Sequence, residues 1–108
     1  MMPNILVSDA VTCLSNGSLG TIDLHPHFRI RSIQRHIQDQ WIFDCLLNEE
    51  IVGILKQSND KFRLYYEHPI NPNNHDLIIV VVIDDLNAKD ITVITSYKQK
   101  IEKRIRTR

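Results

Sequence analysis

The spacing of apolar residues changes near residue 50, from a period close to four to a period of two. Before that point, Ile30, Ile33 and Ile37 recur at i, i+3 and i+7, which is one face of a helix. Pro26 suits the first turn of that helix, where its missing N–H has no intrahelical partner. A helix is therefore expected over 26–37. His27, Arg31 and Arg35 recur at i, i+4 and i+8 and form a basic stripe beside the apolar one. Asp39 is placed to cap a second helix over 40–48. In it Trp41, Ile42, Phe43, Cys45, Leu46 and Leu47 are apolar nearly all round, so it should lie between the first helix and a sheet.

Beyond residue 50 the pattern is that of strands. Residues 51–56 form one candidate, followed by a Ser58-Asn59-Asp60 turn. In 61–67, Phe62, Leu64 and Tyr66 point one way and Arg63, Tyr65 and Glu67 the other. Residues 68–76, with Pro69, Pro72 and three asparagines, read as a loop. Leu77 to Ile83 is continuously apolar and β-branched, as in a central strand covered on both faces. After a turn at 84–89, residues 90–97 form a last strand in which Ile91, Val93, Thr95 and Tyr97 share a face. Ile101 and Ile105, at i and i+4, suggest a short helix in the tail. Near the N-terminus, Ile5 to Val7 reads as a short strand, Ser8 or Asp9 caps a short helix to Leu14, and 18–24 hold a loop and a second short strand.

Helices followed by strands with short connections imply an α+β fold. The expectation is two helices in the N-terminal half packed on one face of a three- to four-stranded antiparallel sheet, with a short basic C-terminal helix. At 108 residues the chain is one domain's worth and can bury enough surface to fold without metals or disulfides.

Charge and cysteine usage narrow the field. The formal net charge is zero, from 13 basic and 13 acidic residues. From Lys98 onward six basic residues face Glu102 alone, so the tail is +5 and the remainder (7 basic against 12 acidic) is −5. Such a tail can hold a phosphate backbone, an acidic partner or the body of the domain, or be a solvated terminal helix. Cys13 and Cys45 form no CxxC motif, and Cys45 reads as a small core residue. The N-terminus lacks the pattern of a signal peptide and Leu77 to Ile83 is too short to cross a bilayer, so a cytoplasmic protein without membrane contact is expected. The histidine spacing matches no zinc motif, and Gly-rich phosphate loops, nucleophile elbows and HExxH are absent. Neither metal nor cofactor is expected.

A resemblance is carried by HPHFRIRSIQRHI (25–37), DQWIFDCLLNEEIV (39–52), FRLYY (62–66), DLIIVVVIDD (76–85) and DITVITSY (90–97). These residues resemble the domain of unknown function 4258 family, which is similar to the RelE-like and BrnT-like toxins of prokaryotic toxin–antitoxin pairs. His27, Arg31 and Arg35 fit its H-x3-R-x3-R helix, Asn48, Glu50, Ile51 and Val52 its turn into the sheet, and Ile94, Thr95 and Tyr97 its last strand. The resemblance covers 25–97, leaving 1–24 as a variable extension and 98–108 as a basic tail. The Pro/Asn loop and the lack of Gly after His36 depart from the pattern.

Three basic side chains one helical turn apart can converge on one anion, and guanidinium groups suit phosphate. A neighbouring histidine could move protons, so the stripe could serve RNA cleavage or be a solvated face paired with carboxylates. The resemblance implies an endoribonuclease that needs no metal, with an antitoxin protein and RNA as partners. Its catalytic residues would be His27, Arg31, Arg35, Arg63 and Tyr97, and its phosphate-binding residues Arg31, Arg35 and Lys98. The alternative is a non-catalytic accessory domain that binds protein or nucleic acid. The oligomeric state is not legible in the sequence.

Overall fold

A computed structural model describes residues 4–15, 19–28 and 35–104. Helix α1 spans Val7–Ser15 and buries Ala10, Cys13 and Leu14, an i, i+3, i+4 stripe. Helix α2 spans Asp39–Asn48 and buries Ile42, Cys45 and Leu46 at the same spacing. Asp39 does not cap α2 as its type suggests. Gln38 holds the cap position without a side-chain bond, and Asp39 opens the first turn, where its charge suits the helix dipole. Residues 29–34, half of the helix expected over 26–37, lie outside the described residues. At its far end Arg35 and His36 form a turn, with His36 at φ +57°.

The strands are β1 (Ile22–Leu24), β2 (Gly53–Lys56), β3 (Lys61–Glu67), β4 (His75–Asp85) and β5 (Asp90–Lys100). They form one five-stranded sheet in the order β1-β5-β4-β3-β2. The three- to four-stranded antiparallel sheet expected from the sequence is therefore corrected to a mixed one. Strand β1 lies parallel to β5, with Ile22 opposite Ile91 and Leu24 opposite Val93. Thr21 N–H donates to Asp90 Oδ1 at 2.8 Å, and Gly20 N–H donates to the Lys89 carbonyl at 2.8 Å. These contacts hold a segment of only three residues at the sheet edge.

The expected C-terminal helix is also corrected. Strand β5 runs on to Lys100, pairing with β4 down to His75, and the chain then makes a single 3-10 turn at Ile101–Lys103. Backbone pairing with His75 and Asp76, which read as loop in the sequence, outweighs the weak helical signal of two isoleucines. Ile5 to Val7 is not a strand either. Val7 begins α1, and Ile5 is buried with its N–H donating to Asn59 O.

Both helices pack on one face of the sheet. The main core joins Ala10, Leu14, Ile42 and Leu46 to Phe62, Leu64, Tyr66, Leu77, Ile79, Val81, Ile91 and Val93. Tyr65, Ile78 and Val80 form a smaller cluster on the other face, flanked by Val52, Leu55, Ile94 and Tyr97. The apolar run of β4 thus supplies both layers, as its composition suggests.

One irregularity decides which way the end of β5 faces. Val80 pairs with Thr95 while Val81 pairs with Val93, so Ile94 is an extra residue, a β-bulge. Ile91 and Val93 face α1 and α2, but Tyr97, opposite Ile78, lies on the other face. The single face expected for Ile91, Val93, Thr95 and Tyr97 is broken at that point.

Candidate functional site

The residues singled out in the sequence separate into several places. His27 lies exposed in the turn after β1, its ring stacked on His25 at 5.4 Å and its N–H donating to His25 Nδ1 at 3.2 Å. Arg31 lies outside the described residues, so the stripe of His27, Arg31 and Arg35 is not seen as a unit. Arg35, Arg63, Tyr97 and Lys98 are all described, and they gather around the second half of β5.

Strand β1 covers β5 only as far as Val93. Beyond it, Arg35 reaches the strand from the turn before α2. Its Nη1 donates to the Ser96 carbonyl at 2.8 Å and to Thr95 Oγ1 at 3.0 Å, and its guanidinium lies 5.6 Å from the centre of the Tyr97 ring. Arg35 therefore satisfies a carbonyl at a strand edge and still presents an exposed cation.

On the face opposite α1 and α2, the register aligns Leu55, Arg63, Val80 and Thr95 in one row and Gly53, Tyr65, Ile78 and Tyr97 in the next. With its amide oxygen turned toward Arg63, Gln57 accepts from Nη2 at 2.8 Å and Nε at 3.2 Å. The Arg63 guanidinium lies beside Tyr65, which raises the arginine's pKa. The Tyr65 hydroxyl is nevertheless buried without a partner in hydrogen-bonding geometry. Burial pushes the Tyr97 phenol up, against the pull of Arg63. Tyr97 is thus held in its hydrogen-bond-donating form near neutral pH.

Lys98, one residue on, faces the other way. It lines a cleft of about 270 Å³ with Arg35, His36 and Ile37 from the turn before α2, Trp41 from the first turn of α2, and His68, Ile70 and Asn71 from the loop after β3. No acidic residue lines this cleft among the described residues. His68 is held firmly: its Nδ1 accepts from the N–H groups of Ile70 at 3.2 Å and Asn71 at 3.3 Å, and its ring meets Trp41 edge-on at 5.2 Å. Those two bonds place the neutral ring's proton on Nε2. Burial lowers its pKa, and the Lys98 charge lowers it further.

A second cleft of about 260 Å³ lies on the other side of His68, lined by Asp44, Cys45, Glu49 and Glu67 with Pro69 and Pro72. The Cys45 thiol there is pushed up to about 12, by burial first and then by Glu49 and Asp44, so it is no nucleophile. Among the described residues no group of three or more His, Cys, Asp or Glu could hold a metal ion.

The family model of the MJ0788 family matches residues 8–81, from α1 into β4. The chain belongs to the MJ0788 family. This overturns the resemblance to the domain of unknown function 4258 family and to RelE-like and BrnT-like toxins, whose motifs were short enough to arise from a shared order of helix and strand. No curated protein and no solved structure matches the chain. In this MJ0788-family protein Arg35, His36, Trp41, Arg63 and His68 fall inside the matched segment, and Tyr97 and Lys98 follow it. Among the described residues no helix is long and apolar enough to cross a membrane.

Trp41, His68 and Asn71 carry no local signal as cleft residues, since each has an ordinary role in its own element.

Proposed function

We propose that this protein is a nucleic-acid-binding domain that holds the phosphate backbone of a single strand in the cleft between α2 and β5. The observation that carries this reading is the convergence of Arg35, His36 and Lys98 with Trp41 on one concave surface free of carboxylates. Cations supply the sequence-independent attraction to phosphate, and a half-buried indole offers an edge or face for a base. Lys98 and Lys100 on the same strand, and Lys103 just after it, extend the positive charge away from an otherwise acidic body. A neutral chain can bind a polyanion this way because the charge that matters is local.

Labelled single-stranded RNA, followed by fluorescence anisotropy while salt is raised, tests the reading. Binding should weaken steeply with salt, and Lys98→Ala should lower the slope of log K against log salt by about 1. Affinity indifferent to salt, or unchanged by Lys98→Ala, would refute it. Endoribonuclease action is the second reading, favoured by His36, which lines the cleft with Arg35 and Lys98. Cleavage of the same RNA by the native chain, lost in His36→Gln with binding retained, would establish it; intact RNA after binding leaves the domain as a non-catalytic binder.

A further inference from the structure

We propose that the face of the sheet opposite α1 and α2 is a second, separate docking surface, which takes a protein segment presenting an Asp or Glu carboxylate between apolar side chains. Every polar side-chain group in the row of Arg63 and the row of Tyr65 can donate a hydrogen bond: the Arg63 guanidinium, the Tyr65 and Tyr97 phenols and the Thr95 hydroxyl. The Arg35 guanidinium, over the Tyr97 ring, adds a second positive charge at the rim. No carboxylate stands in either row. The nearest acids by register lie in the two flanking rows: Asp23, opposite Thr92 at the sheet edge, on one side, and Glu67 and Asp76 on the other, where Asp76 is already gripped by Arg104.

Donors gathered with no carboxylate among them suit an anion. The Tyr65 hydroxyl lies buried just beneath this surface beside the Arg63 guanidinium, without a partner in hydrogen-bonding geometry. Gln57 fixes the plane of the Arg63 guanidinium, which favours a planar carboxylate. Around this centre Val52, Leu55 and Ile94 are only half-buried, and α1 and α2 both pack on the opposite face. The bulge at Ile94 turns both Ile94 and Tyr97 toward this side.

The same details disfavour a nucleic acid here. Tyr65 is fully buried and the Tyr97 ring is covered by Arg35, so neither ring is open for a base to stack on. The two central rows contain no lysine and are rich in Tyr, Arg and aliphatic groups, the composition of protein interface centres.

Selection of a random-peptide phage library on the immobilised full chain tests the proposal. Selected peptides should carry Asp or Glu among apolar residues. As synthetic peptides they should bind Arg63→Gln about ten- to a hundred-fold more weakly than the native chain, and Lys98→Ala as tightly as the native chain. Amide shifts of the ¹⁵N-labelled native chain, which do not depend on any variant folding, should centre on Tyr65, Ile78 and Tyr97. The proposal is overturned if no peptide is enriched, if the enriched peptides lack acids, if Arg63→Gln binds unchanged while folded, or if the shifts fall in the α2–β5 cleft. It is equally overturned if single-stranded RNA, and not the peptides, perturbs these residues.

Discussion

His36 and Lys89 take positive φ, +57° and +59°. Each ends a local reversal where a side chain is tolerated rather than favoured. His36→Gly should leave thermal stability unchanged or raise it, whereas His36→Val should cost about 1–2 kcal/mol in denaturant unfolding. Gly20 is constrained differently: a Cβ there would run into the Ala88 carbonyl and the Asp90 carboxylate. Gly20→Ala should therefore loosen β1 and lower the melting temperature. His68 gives the chain a pH dependence. Its folded pKa lies below the unfolded value, so the unfolded chain binds the proton more readily. The stability that goes with the neutral ring is present in full above about pH 6.5 and is lost as pH falls through the lower, folded value. His68→Asn keeps an acceptor for the Ile70 and Asn71 amides and cannot titrate. Urea unfolding between neutral and mildly acidic pH should show a shallower decline for that variant than for the native chain.

At the scale of elements, the parts that read correctly are those whose pattern is decided by burial on one face. The alternation over 61–67 gives β3, the apolar run at Leu77 to Ile83 gives the centre of β4, and the spacing of Ile42, Cys45 and Leu46 gives α2. What failed depended on distant partners. The last residues of β5 are polar, and they become strand because β4 begins at His75, two residues before its apolar run. The parallel pairing of β1 has no local signal at all. Nor has the bulge, since Ile91, Val93, Thr95 and Tyr97 alternate without interruption in the sequence. At Arg104 the basic tail holds the body of the domain, one of the roles its charge allowed. Arg104 Nε donates to Asp76 Oδ2 at 2.7 Å and Nη2 to Oδ1 at 2.5 Å, and Asp76 is fully buried. Arg104→Ala would leave that carboxylate without its cation and should destabilise the fold by about 3 kcal/mol, the low end for breaking a buried pair, since Arg104 is partly exposed. Adding Asp76→Asn should return part of the loss, which a double-mutant cycle in urea would measure.

For the molecule as a whole, the sheet separates two surfaces of different chemistry, with Tyr97 and Lys98 on opposite sides of one strand. Several residues that the sequence marked as cationic or aromatic, Arg35, Arg63, Tyr97 and Lys98, do come together around β5. Their division between the two surfaces could not be read without the bulge. His27 was drawn into the candidate site by helical spacing alone, and it stands instead against His25 after β1. The cleft between α2 and β5 is built from three segments far apart in sequence, so no local motif announces it. The most direct test of its role is a ¹⁵N NMR titration of the full chain with a short single-stranded RNA. The account predicts saturable shifts confined to Arg35, His36, Ile37, Trp41, the His68–Asn71 turn and Lys98. Shifts that avoid these residues, or none at RNA concentrations where charged domains bind nonspecifically, would contradict it.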